Sequence, residues 1–159
     1  MIIQYTQEDF DWHYGFVDWK DKIILDLGGD YGSTAVCFLA LGATKVIVSD
    51  SNKEFHKILS QYINQNIIQD RVRCIASTDD FIDLFNEFKM DIIKMDIEGA
   101  EVHLLYVPDN ILKSVKEYVI ECHTEELTNK ILQKFKDLKF NILTVKNLAV
   151  GCNVVHAHE

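Results

Sequence analysis

The chain has 159 residues, enough for one ordinary domain and too few for two with separate cores. Hydrophobic residues make up 48% and charged residues 26%, which excludes a disordered or fibrous chain. The formal net charge of −9 repels phosphate backbones at long range and so disfavours nucleic acid as the main ligand.

No apolar run reaches the roughly 18 residues that a membrane span requires. The opening MIIQYTQEDF lacks the basic start and long apolar stretch of a secretory signal, so a cytoplasmic location with no membrane partner is expected. Cys37, Cys74, Cys122 and Cys152 are widely spaced and form no C-x-x-C pair. They read as reduced thiols rather than a zinc site or a disulfide framework.

The first 21 residues carry Tyr5, Phe10, Trp12, Tyr14, Phe16 and Trp19. This aromatic segment serves either as a lid over a site or as hydrophobic cover for a sheet edge or helix seam. Strands and helices then alternate. Lys22–Leu27 reads as a buried strand, and Ser33–Leu41 as a short helix ended by Gly42. Lys45–Ser49 is the second strand. The helix after it opens with Ser51 and Glu54 at capping-box spacing, and Phe55, Ile58, Leu59, Tyr62 and Ile63 share one face. Arg71–Ala76 is the third strand, followed by a helix bearing Phe81, Leu84, Phe85 and Phe88.

Asp91–Ile97 is the fourth strand, Ala100–Val115 a helix broken at Pro108, and Tyr118–Cys122 the fifth strand. A helix carrying Leu127, Ile131, Phe135 and Leu138 follows. Phe140–Val145 and Asn153–His158 close the chain as a hairpin around Gly151. Strands that alternate with amphipathic helices predict right-handed crossovers in an α/β, doubly wound, Rossmann-like domain. Its sheet is mostly parallel, covered by helices on both faces, with an antiparallel terminal hairpin. Ligands in such sheets bind beyond the carboxyl ends of the strands, near the switch in strand order.

The first strand ends there in D-L-G-G-D-Y-G, Asp26 to Gly32. Glycines let backbone pass close under a ligand, and a helix N-terminus offers unpaired N–H groups. A dinucleotide fingerprint needs Gly-x-Gly-x-x-Gly, but counting from Gly28 this chain offers Asp30 and Ser33 at the second and third positions. Acids at 26 and 30 would also repel a pyrophosphate. A cationic ligand without phosphate suits the loop better, and S-adenosylmethionine carries a sulfonium and an ammonium group. Asp50, 24 residues beyond Asp26 at the end of the second strand, can accept both ribose hydroxyl protons. The ordinary structural reading of the loop is a glycine-rich turn with a capping aspartate.

On the fourth strand, alternation places Lys94, Asp96 and Glu98 on one side. A lysine inside a central strand needs a partner, and Glu121 in the neighbouring strand supplies a buried one. Asp96 and Glu98 at the strand end suit an acceptor hydroxyl, either orienting it or taking its proton; capping of the next helix is the alternative for both. His123, just past the fifth strand, is the remaining candidate base, because an imidazole works near neutral pH. The other histidines show no ligand spacing. An Asp96, Glu121, His123 metal set is disfavoured by the engagement of Glu121 with Lys94, and no metal is expected.

D-L-G-G-D-Y-G resembles motif I of class I methyltransferases, and more narrowly the D-x-G-A-N-x-G form of the FkbM family. That family's K-x-D-x-E-G-A-E stands here as Lys94-Met95-Asp96-Ile97-Glu98-Gly99-Ala100-Glu101, and Val119-Ile120-Glu121-Cys122-His123 is similar to its next strand. Gly29 and Asp30 depart from the usual Ala-Asn, and the N-terminal region is short. The resemblance implies a single class I methyltransferase-like domain over residues 1–159, with strand order 3-2-1-4-5-7-6. It also implies S-adenosylmethionine as cofactor and oxygen acceptors on small molecules or sugars. Carried over by position, Asp26, Gly28, Gly29, Asp30, Tyr31 and Gly32 hold the methionine end, Asp50 the ribose, and Ser51 the turn after it. Ala76, Ser77 and Asp79 border the adenine, and Asp96 faces the methyl group.

The chain has no D/N-P-P-Y/F segment and no Pro-Cys pair, so neither familiar route to base methylation is supported. O-methylation of a small molecule or glycan is the leading expectation. A methyltransferase acting on protein or RNA, and a non-catalytic cofactor-binding module that needs a partner chain, remain as alternatives. A homodimer through the aromatic segment or the terminal hairpin is also open.

Overall fold

Apolar runs bounded by glycine and polar turns form the strands, and the computed structural model describes residues 6–66, 69–76 and 81–159. Two compact units are distinguished, residues 1–78 and 79–159. Seven strands follow the order β3-β2-β1-β4-β5-β7-β6, the order implied by the resemblance.

In the first unit, β1 (Ile23–Leu27), β2 (Lys45–Asp50) and β3 (Val72–Ala76) are parallel. Leu25 lies opposite Ile47, and Asp50 opposite Ala76. Ile24, Leu25, Val46, Ile47 and Val48 are all buried, the continuous burial expected of parallel strands. Helices α1 (Gln7–Tyr14), α2 (Ser33–Ala40) and α3 (Lys53–Asn66) accompany them. Helix α1 begins in a capping box: Thr6 Oγ1 accepts from the Asp9 N–H, and the Asp9 side chain accepts from the Thr6 N–H. Two of its three aromatics, Phe10 and Tyr14, face inward. Phe10 and Trp19 sit edge-on or tilted against Phe38 of α2, with ring centroids 5.2 and 4.5 Å away, and Tyr14 lies 5.5 Å from Phe10. Phe10, Tyr14 and Trp19 are therefore core residues that cover α2, while Trp12 stays exposed.

Helix α3 starts one residue later than its capping signal suggests. Asn52, rather than Ser51, caps it, its side-chain oxygen accepting from the Glu54 N–H at 2.9 Å. Asn is as good a cap as Ser, and the turn after Asp50 has already used the Asn52 N–H.

In the second unit, α4 (Phe81–Glu87) precedes β4 (Ile92–Met95), a 3₁₀ helix (Ala100–Tyr106) and α5 (Asp109–Leu112). Then come β5 (Glu117–Cys122), α6 (Glu125–Asp137), β6 (Asn141–Ala149) and β7 (Cys152–His158). Strands β4 and β5 are parallel, and β7 runs antiparallel to both β5 and β6. The terminal hairpin turns at Gly151, whose φ of +81° is one that glycine adopts without strain. Its strands run longer than the apolar pattern indicates, because β6 is an outer strand whose residues alternate between half-buried and exposed. Pro108 separates the 3₁₀ helix from α5, as its fixed φ and missing N–H require. Tyr118 is wholly buried against Phe135 and Phe140, and its hydroxyl donates to the Leu112 carbonyl at 2.7 Å.

Among the described residues, no helix is long and apolar enough to cross a membrane.

Candidate active site

The first unit gathers its acids at the carboxyl ends of β1 and β2. Asp26 is wholly buried, and Thr34 in the first turn of α2 donates to its Oδ2 at 2.5 Å. The loop from Gly28 to Gly32 then folds back on β2, the Gly28 N–H donating to the Ser49 carbonyl at 2.9 Å. The Asp30 N–H donates to Asp50 Oδ2 at 3.1 Å, and the Asn52 N–H to Asp50 Oδ1 at 2.8 Å. Each carboxylate oxygen of Asp50 thus spends one lone pair on backbone and keeps a second. Asp30 adopts the left-handed φ of +49°, which Asp tolerates better than most side chains.

Two of the glycines answer to packing. A Cβ at Gly29 would stand 2.3 Å from Val48 Cγ1, and one at Gly32, whose φ is +85°, would stand 2.5 Å from Leu59 Cδ1. Gly29→Ala is expected to cost about 1 to 3 kcal/mol of stability through this overpacking. Urea unfolding measures it, and an unchanged midpoint would remove the packing argument. The Tyr31 ring lies 4.0 Å, centroid to centroid, from Phe55 of α3. Ser51 is exposed beside Asp50, and Ala76 ends β3 opposite it. Ser77 and Asp79 lie outside the described residues.

The donor chemistry of this loop fits S-adenosylmethionine. Three carboxylates, Asp26, Asp30 and Asp50, stand at two neighbouring strand ends, and no lysine or arginine occurs between Asp26 and Thr34. Such a charge balance favours a sulfonium, an ammonium group and ribose hydroxyls over a phosphate.

In the second unit, β4 stops at Met95, two residues short of the apolar run, so Asp96 and Glu98 stand in the loop beyond it. Glu98 and Gly99 both have left-handed backbone, with φ of +55° and +100°. The chain there turns sharply into the 3₁₀ helix, whose N-cap is Gly99 with no side-chain cap. Glu98 is 88% exposed, and its Oε2 lies 3.4 Å from His123 Nε2. Asp96 Oδ1 lies 3.5 Å from the same nitrogen. Glu101 is wholly buried; its Oε1 accepts from the Ile97 N–H at 2.8 Å and lies 3.3 Å from His123 Nδ1. The imidazole is therefore flanked by carboxylates at both ring nitrogens.

Lys94 is 1% exposed, with Nζ 4.0 Å from Asp96 Oδ2. Val119 stands opposite it in β5, and Glu121 follows two residues on along the same face, its Oε1 accepting from the Cys152 thiol at 3.3 Å. Asp96 feels all of these charges. Burial raises its carboxyl to about 6; Lys94 and His123 pull it down, and Glu121 and Glu98 push it up. A carboxylate so placed takes up and releases a proton near neutral pH.

The structure thus brings Asp96, Glu98 and His123 together, and Asp30 and Asp50 together. It adds Glu101, which the sequence presents only as the last letter of K-x-D-x-E-G-A-E, and the buried pair Glu117–His156, whose Oε1 and Nε2 are 2.6 Å apart.

A mostly parallel sheet in this order, with a glycine-rich turn after its first strand, defines a Rossmann-like domain of the methyltransferase type. Solved structures share the fold. A methyltransferase from Pyrococcus furiosus matches with a TM-score of 0.76 at 14% identity, over 97% of this chain and 83% of that one. A putative tRNA (m1A22) methyltransferase from Streptococcus pneumoniae, in complex with S-adenosyl-L-methionine, matches with a TM-score of 0.71 at 12% identity, over 95% and 72%. In sequence, Uncharacterized protein 158B of Sulfolobus islandicus rod-shaped virus 1 is 32% identical over 117 residues, 72% of this chain and 69% of that one. The Methyltransferase FkbM domain family matches residues 16–142. The chain belongs to that family, and is a S-adenosylmethionine-dependent methyltransferase domain.

Proposed function

We propose that this domain methylates a hydroxyl oxygen of a small molecule or glycan. The observation that carries the reading is the grouping of Asp96 and Glu98 within 3.5 Å of His123 Nε2 beyond the end of β4. When bound, S-adenosylmethionine supplies a methyl group on a sulfonium, activated for in-line displacement. Asp26, Asp30 and Asp50 bind and orient the donor. Asp96, Glu98 and His123 hold the acceptor hydroxyl and receive its proton as the oxygen becomes a nucleophile. Positioning of this kind supplies much of the rate in a two-substrate displacement, and proton removal adds about 10² to 10⁴. The net charge of −9 favours such acceptors over RNA, whose phosphates it repels.

The test is release of S-adenosylhomocysteine across a panel of hydroxylated small molecules, oligosaccharides, proteins and RNA. Turnover with a hydroxyl acceptor that falls about 100-fold or more in Asp96→Asn supports the proposal. Turnover with RNA or protein alone overturns the acceptor class.

A further inference from the structure

We infer that Asp96, Glu98 and His123 form a binding site for a single divalent cation, with Mn²⁺ and Zn²⁺ the ions that one imidazole and two carboxylates suit. In sequence these residues show no ligand spacing. In the fold, Asp96 Oδ1 and Glu98 Oε2 stand 3.5 and 3.4 Å from His123 Nε2, and the three ligand atoms lie within 4.8 Å of one another. Direct hydrogen bonds would draw such pairs to about 2.8 Å. Atoms bound to one ion at about 2.1 Å, with angles between 90° and 110°, stand roughly 3.0 to 3.4 Å apart. The two separations from Nε2, 3.4 and 3.5 Å, stand at the upper end of that range and well outside hydrogen-bond contact.

A second observation points the same way. Glu101 is wholly buried, and its carboxylate lies 3.3 Å from Nδ1, the ring nitrogen on the other side of His123. The Ile97 N–H holds Oε1, and neither Oε2 nor His123 Nδ1 has a hydrogen-bond partner among the described residues. A buried carboxylate against the far nitrogen of an imidazole is the arrangement that fixes a metal-binding histidine. It sets a buried negative group beside the ring, where an imidazole bound to a cation carries positive charge. Three protein ligands leave positions open for the acceptor oxygen. The uncoordinated carboxylate oxygens of Asp96 and Glu98 remain to receive its proton.

Glu121, His123 and Cys152 form a second set of ligand atoms within 4.8 Å of one another. There the thiol of Cys152 is already directed at Glu121. The Asp96 set is preferred because both of its carboxylates face one nitrogen, Nε2, at 3.5 and 3.4 Å.

What the ion does rests on the proposed acceptor reading; whether it binds does not. The experiment is calorimetric titration of the chelator-treated full chain with MnCl₂ and, separately, ZnCl₂, with S-adenosylhomocysteine titrated into the same preparation. One ion per chain is expected, with affinity reduced about tenfold or more in His123→Ala and Glu98→Gln, about 10- to 100-fold in Glu101→Gln, and unchanged in Cys152→Ser. Because Glu98 is 88% exposed, Glu98→Gln tests the site without disturbing the core. No binding of either ion overturns the inference, as does binding that survives Glu98→Gln and His123→Ala. Loss in Cys152→Ser with none in Glu98→Gln overturns it in favour of the Glu121 set. S-adenosylhomocysteine binding without metal binding removes the ion and leaves the methyl-transfer reading standing. Metal binding without S-adenosylhomocysteine binding does the reverse.

Discussion

Asp50→Ala is expected to weaken S-adenosylhomocysteine binding about 100-fold, read by calorimetric titration against the unaltered chain. The Asp50 carboxylate is aimed by two backbone N–H groups, those of Asp30 and Asn52, at 3.1 and 2.8 Å. Those bonds hold the plane of the carboxylate and leave one lone pair on each oxygen for the two ribose hydroxyls. A hydrogen bond to a charged group contributes about 1.5 to 3 kcal/mol, so the loss of two costs about 3 kcal/mol or more, which is the stated factor. Alanine also leaves the Asp30 N–H without its acceptor, loosening the loop that follows Gly28. Asp50→Asn retains only one acceptor oxygen and turns an NH₂ towards a backbone N–H or a ribose hydroxyl, so an intermediate loss is expected. An affinity unchanged in both variants would remove Asp50 from the ribose site. NADH titrated in parallel should not bind, because its pyrophosphate would face Asp26 and Asp30.

The second large effect is on stability. Glu117 opens β5 and His156 lies in β7; they are 7% and 4% exposed, and their side chains meet at 2.6 Å. Removing one partner takes away a charge-assisted contact at a place less than a tenth exposed. Glu117→Ala is therefore expected to lower the free energy of unfolding by about 3 kcal/mol, measured by urea denaturation. Replacing both partners with apolar groups of similar volume, Glu117→Met with His156→Leu, should restore most of that loss, since no ionisable side chain is then buried at these two positions. The coupling in this double-mutant cycle is the decisive quantity. Single substitutions that cost under about 1 kcal/mol, or that simply add, would show that water already serves both groups. Binding of S-adenosylhomocysteine should survive the double replacement, because the residues proposed to hold the donor belong to β1, β2 and the loops after them.

Much of this molecule is legible in its sequence for local reasons. The alternation of apolar runs with helix-period segments is enforced within each element by burial, and it yields the seven strands in the right order; it misses helix α1 (Gln7–Tyr14) and the 3₁₀ form of Ala100–Tyr106. Gly151 needs its left-handed conformation, Pro108 cannot continue a helix, and D-L-G-G-D-Y-G must turn sharply between a strand and a helix; each leaves a signature within a few residues. The acids of the donor loop are readable for the same reason, because Asp26, Asp30 and Asp50 follow directly from where strands end.

What the sequence does not contain is which distant side chains meet. Glu101 and His123 are 22 residues apart and join only because the chain turns through left-handed Glu98 and Gly99 into a 3₁₀ helix, where an α-helical reading would aim Glu101 elsewhere. Glu117 meets His156 because β7 runs antiparallel to β5, a pairing set by register rather than by any local pattern. The aromatic segment reads equally well as lid or as cover, and the stacking of Phe10 and Trp19 on Phe38 makes those residues core. Even the cap of α3 moves from Ser51 to Asn52, because the Asp50 carboxylate claims the Asn52 N–H and sets where the first turn begins. Periodicity and turn chemistry act over a few residues and can be read along the chain; charge clusters and core contacts depend on strand order and register, which exist only once the sheet has formed.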